Sequence, residues 1–236
     1  MMPKLSRFVL KALRLPLRVV DNFRTIGVRR AVAIYGERIA EEVRERRLGI
    51  NTQGDVPGRE LSSDPACHCY QVVNYSSLDS VFGYLSIDPI HDVFLDYGCG
   101  KGRAVVVAAT HSFRRVIGIE FAPSLADIAR TNLRRAERHL RCRDVEIVTE
   151  NAMNYIVPED VNVLFLFNPF SEHVMDAVLE RIRDSLATAR REISIFYLQP
   201  RDEPNVLAKC DWLYWDCDLP TGTWDQVQLH CYRTTS

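Results

Sequence analysis

The 236-residue chain lacks any uncharged apolar run near the 18 or so residues of a membrane-spanning helix. Its longest candidates, residues 104–113 and 161–170, are about half that length, which removes a spanning helix from the reading. Glycine and proline supply only 11 residues each, so collagenous and low-complexity chains are excluded too. The seven cysteines are an odd number and scattered, in a chain large enough to build its own core, and they do not form a disulfide framework. A reducing compartment, the cytoplasm, is the expected setting. No sign of charge dominates, with 30 Lys plus Arg against 31 Asp plus Glu. The balance hides an asymmetry: residues 1–50 carry 12 basic and 5 acidic side chains, leaving a basic head on a mildly acidic body.

What is present begins with that head. Residues 1–30 contain a single acid, Asp21, and place Leu5, Phe8, Val9, Ala12 and Leu13 at one-face helical spacing before Pro16 interrupts. A segment of this kind can dock on the body or lie on an anionic membrane surface as a peripheral contact, and its Arg-rich, acid-poor start also fits an organelle transit peptide. These readings stay open. A second amphipathic stretch follows, with Val32, Tyr35, Ile39 and Val43 on one face, Arg38, Glu41, Glu42 and Glu45 elsewhere, and Gly49 past its end. Three regions result: a basic helical extension over 1–49, a Gly- and Pro-punctuated linker over 50–66, and a main domain over 67–236.

In the main domain, Ser76 and Asp79 have capping-box spacing ahead of a short helix through Leu78, Val81, Phe82 and Leu85. Apolar strands then alternate with amphipathic helices. Strands are predicted at 92–96, 116–119, 145–148, 161–167 and 193–198, and helices at 103–109, 124–140 and about 174–186. Near-continuous apolar strands separated by helices specify a parallel sheet covered on both faces. The last residues, about 212–217 and 226–232, predict a closing hairpin.

Chemistry concentrates in Phe94-Leu95-Asp96-Tyr97-Gly98-Cys99-Gly100-Lys101-Gly102-Arg103, where a strand enters a glycine cluster and then a helix. Glycines there let backbone approach a ligand and are expected to turn amide N–H groups toward its polar end. A Walker phosphate loop fails, because Lys101 is followed by Gly102 and position 95 is Leu. A dinucleotide fingerprint is weakened by Arg103 at its third glycine position. The spacing Asp-x-Gly-x-Gly-x-Gly remains.

With that spacing, the chain resembles the class I S-adenosylmethionine-dependent methyltransferases, the seven-stranded Rossmann-like family, over about residues 70–232. The resemblance implies an α/β fold with a mostly parallel seven-stranded sheet and a closing antiparallel hairpin, and S-adenosylmethionine as cofactor. Asp96, Gly98, Cys99, Gly100 and Gly102 match the loop that wraps the methionine part. Glu120, followed by Phe121, matches the acid that ends the second strand and bonds the ribose hydroxyls. Asn151 and Ala152 match the adenine-contacting segment, with Asn in place of the common Asp. Asn168-Pro169-Phe170 resembles a shortened Asn/Asp-Pro-Pro-aromatic motif, which implies that Asn168 orients a nitrogen nucleophile and contacts the cofactor region while Phe170 stacks on the target. Tyr70 and Tyr75, before the first motif, are expected as pocket walls.

The expected activity is methyl transfer to nitrogen of a protein side chain, lysine-like, or of a small molecule. Two rivals stand beside it: a non-catalytic module docking through its basic head to a membrane or nucleic acid, and a nucleotide-dependent oxidoreductase. No metal is expected. Cys67-His68-Cys69 lacks the usual zinc spacing and a second ligand pair, and is read as structural. Cys99 is read as a small spacer, and His111 and His173 as surface or helix-end residues.

Overall fold

The computed structural model describes residues 28–54, 56–57, 70–167, 170–198, 206–222 and 227–235. Helix α1 (Val28–Leu48) precedes α2 (Tyr75–Tyr84), and the alternating part then runs β1 (Val93–Tyr97), α3 (Arg103–Ala109), β2 (Arg115–Glu120), α4 (Pro123–Ala136), β3 (Val145–Thr149), β4 (Val163–Phe167), α5 (Glu172–Thr188) and β5 (Ser194–Leu198). Strands β6 (Leu213–Asp218) and β7 (Leu229–Thr234) close it. The seven strands form one sheet in the order β3-β2-β1-β4-β5-β7-β6. Strand β7 alone runs antiparallel to its neighbours β5 and β6, and the pairs β1/β2, β1/β4, β2/β3 and β4/β5 are parallel. This is the Rossmann-like sheet with a closing hairpin that the resemblance implies.

The central strands are apolar on both sides because both faces are covered. Successive side chains alternate between two cores. Phe94, Phe165, Phe196 and Cys231 face α2 and α3 in one; Leu95, Tyr97, Leu164, Leu166 and Ile195 pack with Met175, Val178 and Ile182 of α5 in the other. Asp96 falls on the first face, one residue from the carboxyl end of β1. That end of a parallel sheet, where strand order reverses between β1 and β4, is where ligands bind.

Two local expectations are corrected. Helix α2 is capped by Asn74, whose side chain accepts the Ser77 N–H at 2.8 Å, while Ser76 and Asp79 lie inside the helix and Asp79 pairs with Arg44 of α1. An Asn acceptor ahead of Tyr75 does the work that a Ser76 cap would have done two residues too late. Helix α1 forms as its periodicity predicts, but it buries Ala31, Glu41, Glu45 and Leu48 and leaves Val32, Ile39 and Val43 exposed. The reason lies in the body, where a buried arginine recruits the two glutamates.

Candidate active site

The loop after β1 takes left-handed backbone at Gly98, Gly100 and Gly102, with φ of 74°, 55° and 81°. At Gly100 a side chain is also excluded by space, since a Cβ would stand 2.2 Å from the Tyr70 ring. The expected free amides are not there. Gly98 and Cys99 N–H both donate to the Ile119 carbonyl, at 2.9 and 2.8 Å, Gly100 N–H to a Glu120 oxygen at 2.8 Å, and Gly102 N–H to the Cys99 carbonyl at 2.8 Å. The loop thus offers a ligand a shape and its carbonyl edges: the Gly98, Cys99 and Gly100 amides go to β2, which lies within hydrogen-bond reach, and the Gly102 amide turns back on the loop itself.

Two carboxylates define the electrostatics. Glu120, at the end of β2, is buried, and its oxygens accept the Gly100 and Ala122 N–H groups at 2.8 Å each. Burial raises its pKa, and the backbone donors oppose the rise. Asp96 is buried too, yet no donor among the described residues reaches its carboxylate. Burial, then the charge of Glu120, pushes it up to about 8. It opens into a pocket lined by Tyr70, Gln71, Gly98, Phe165 and Phe167. An unpaired buried acid in an aromatic-walled pocket is poised for a cationic group.

The wall above the loop comes from residues 50–54, 56–57 and 70–73. The Tyr70 ring covers Gly100, its hydroxyl donates to the Thr52 carbonyl at 2.8 Å, and Val56 and Tyr70 exchange backbone bonds. The Lys101 ammonium lies 4.8 Å from the Tyr70 ring centroid and donates to the Gln53 and Gly54 carbonyls at 2.7 and 2.8 Å. Asn132 of α4 donates to Lys101 and Asn51 carbonyls at 2.9 and 3.1 Å and accepts the Asn51 N–H at 3.0 Å.

Arg103, at the start of α3, is the hub that the sequence showed only as a mismatch to a fingerprint. It is 1% exposed and donates to Thr52 Oγ1 at 2.7 Å, the Val73 carbonyl at 2.6 Å, Glu45 at 3.1 Å and Glu41 at 3.4 Å. Glu45 also accepts from the Thr52 N–H and hydroxyl, and Glu41 accepts the Tyr75 N–H at 3.1 Å. Tyr75 is therefore corrected as a pocket wall: its ring lies between the Arg44 and Arg103 guanidiniums, 4.4 Å from each, and away from the pocket lining.

The other expected residues distribute as follows. Cys99 is buried with its thiol pKa raised by burial, and its sulfur leaves no room for a side chain at Gly118. Phe121 is half exposed beside Glu120. Asn151 is half-buried and accepts the Met153 N–H at 3.0 Å, which makes a local turn, and Ala152 is buried. The Phe170 ring packs edge-on to Tyr97, 6.2 Å between centroids, in the core on the far side of the sheet from Asp96. Asn168, Pro169 and the Cys67-His68-Cys69 triplet lie outside the described residues. His111 stacks on Phe82 at 4.8 Å, with a pKa lowered by burial, and His173 is exposed. Among the described residues, Asp216, Cys217 and Cys231 bring ligating atoms within 4.8 Å of one another, but Asp216 is engaged by Arg233 and the Tyr84 hydroxyl.

A glycine-cradled pocket with an acid at the end of each of the first two strands, on this sheet order, defines the class I Rossmann-like architecture. Residues 94–189 match the family model described as a methyltransferase domain. The match, over about two fifths of the chain, and the fold together support a class I S-adenosylmethionine-dependent methyltransferase. No curated protein matches it by sequence. Among solved structures it is similar to an S-adenosylmethionine-dependent O-methyltransferase of Thermotoga maritima, with 16% identity over 71% of this chain and 68% of that one and a TM-score of 0.53. It is also similar to the tRNA (m1A58) methyltransferase TrmI of Aquifex aeolicus, at 14% identity, 71% of each chain and a TM-score of 0.52. The precorrin 8W decarboxylase of Methanobacterium thermoautotrophicum matches at 18% identity over 77% of this chain and 100% of its own, TM-score 0.52. Likeness at this level is a likeness of fold.

Proposed function

We propose that this methyltransferase acts on nitrogen, in a lysine-like protein side chain or a small molecule, and that Asn168 orients the acceptor. The observation that carries the reading is Phe167: it lines the pocket that contains Asp96, and Asn168 is the next residue in the chain. The aromatic walls Tyr70, Phe165 and Phe167 suit a cationic or planar nitrogen, which an aromatic face attracts and a dry pocket holds in line.

The residues present fit the cofactor. Asp96 supplies an unpaired charge for the methionine ammonium, which is the cation its buried carboxylate lacks. Glu120 retains lone pairs beyond its two backbone bonds for ribose hydroxyls, and the half-exposed Phe121 ring offers a surface for adenine. When bound, the cofactor supplies a methyl on a sulfonium centre, open to in-line displacement. The chain's own part is orientation and exclusion of water: Tyr70 roofs Gly100, the strap bonded to Lys101 closes the loop side, and Asn168 holds the acceptor. The acceptor amine would be held neutral with its lone pair toward the pocket; methylation would release S-adenosylhomocysteine, and the proton then shed by the methylated nitrogen would pass to a nearby acceptor.

Labelled methyl donor offered to amine-bearing peptides and small amines tests the reading. Transfer to nitrogen, with Asn168→Ala lowering turnover more than S-adenosylhomocysteine affinity, is the expected result. Transfer only to oxygen or carbon, or unchanged turnover in Asn168→Ala, overturns it.

A further inference from the structure

The outward face of α1 has no role in the site. Val28, Val32, Ile39 and Val43 are 64%, 58%, 53% and 57% exposed, and at the helical pitch they fall within about 60° of arc along about 22 Å of axis. The opposite face is the one held by Arg103 through Glu41 and Glu45, so the stripe points away from the body. Its surroundings are cationic. Arg29, Arg30 and Arg47 are exposed on the same helix, Arg46 lies within the stripe, and the one exposed acid, Glu42, is bonded to Arg46 at 2.5 Å. The chain that leads into Val28 adds Lys4, Arg7, Lys11, Arg14, Arg18 and Arg24 against Asp21 alone.

We infer that α1 docks by this stripe on an anionic lipid surface. Four aliphatic side chains on one side of a helix bury into the headgroup and acyl boundary, and arginines around them meet lipid phosphates. A nucleic acid would use the arginines and leave the valines and isoleucine wet, since base stacking calls on aromatic rings and phosphate on charge. The apolar stripe therefore selects lipid. Docking leaves the Glu41, Glu45 and Arg103 cluster undisturbed, so it is independent of the methyl acceptor and of the proposed chemistry.

The test uses the full chain, sedimented with phosphatidylcholine vesicles with and without phosphatidylglycerol, beside a Val32→Glu, Ile39→Glu double variant. Both substituted positions are exposed, and melting temperature and the shift given by S-adenosylhomocysteine serve as controls for the fold. The expected result is binding to the anionic vesicles that weakens by about tenfold or more in the variant and falls with salt, with both controls unchanged. Four results overturn the inference: no sedimentation with anionic vesicles; equal binding to pure phosphatidylcholine; unchanged binding by the variant, including the case where only removal of residues 1–27 abolishes it; or retention of nucleic acid, or self-association through the stripe, in place of vesicle binding.

Discussion

Asp96 and Glu120 sit one strand apart and are both buried, but their environments make them different acids. Glu120 has backbone donors, whereas Asp96 has burial and a neighbouring charge pressing on it and, among the described residues, no donor to offset them. An acid whose folded-state pKa is raised favours the folded state at low pH, and that contribution is lost as pH rises from the ordinary carboxylate range through about 8. For a ligand that brings an ammonium group the sign reverses, because binding selects the ionised carboxylate. Affinity for S-adenosylhomocysteine should then rise between pH 6 and 8, by up to about tenfold per unit, and level off above; Asp96→Asn should bind weakly with a flat profile. Calorimetric titration across that range checks it, and a flat wild-type profile removes Asp96 from the ammonium. Glu120→Ala should cost about 1.5–3 kcal/mol of cofactor affinity, the value of bonds to a charged acceptor. The Glu120→Gln variant keeps a carbonyl oxygen and should lose less. Both acids were legible in the sequence because each stands at a fixed distance from a glycine cluster. Asp96's lack of a partner was not, since it depends on what the other strands and the strap leave empty around it.

At the scale of elements, the strands and helices of the body were readable because burial on both faces writes near-continuous apolar runs, as in Val163–Phe167. The orientation of α1 was not. Glutamates at 41 and 45 have the pattern of a solvated face, and only the presence of Arg103, 58 residues beyond Glu45, turns that face inward. The helix is held by a charged cluster instead of its apolar stripe, which reverses the usual rule for reading an amphipathic helix. The same cluster ties α1 to the first residue of α3, and so to the glycine loop. Arg103→Met should therefore destabilise the protein by about 3–5 kcal/mol, because two carboxylates are left buried without their cation. Adding Glu41→Gln and Glu45→Gln to that variant should restore much of the loss, as the uncompensated charges are then gone. Urea unfolding of the three proteins measures both steps. A small effect in Arg103→Met would show that α1 is held mainly by Ala31, Leu48 and the Arg44–Asp79 bridge.

For the whole molecule, the consequence is that the methyltransferase domain does not begin where its family pattern begins. The family match starts at residue 94, but the roof over Gly100 is Tyr70, its hydroxyl is held by Thr52, and Thr52 is held by Glu45 and Arg103. A chain starting at residue 28 keeps every one of these contacts. It should melt like the full chain and be stabilised equally by S-adenosylhomocysteine, about 2.7 kcal/mol at 100 times the dissociation constant. Starting at residue 49 instead removes both glutamates, leaves the Arg103 guanidinium with Thr52 and the Val73 carbonyl alone, and frees the strap that positions Tyr70. That chain should be less stable and, where it still folds, should bind the cofactor more weakly than the chain starting at 28, since the loop would lose its roof before losing its own turns. Thermal unfolding of the two truncations with and without ligand separates the cases. Equal ligand shifts in both would mean that the glycine loop holds its shape from β1 and β2 alone, through the Ile119 carbonyl and Glu120, and that α1 contributes stability without shaping the cofactor site.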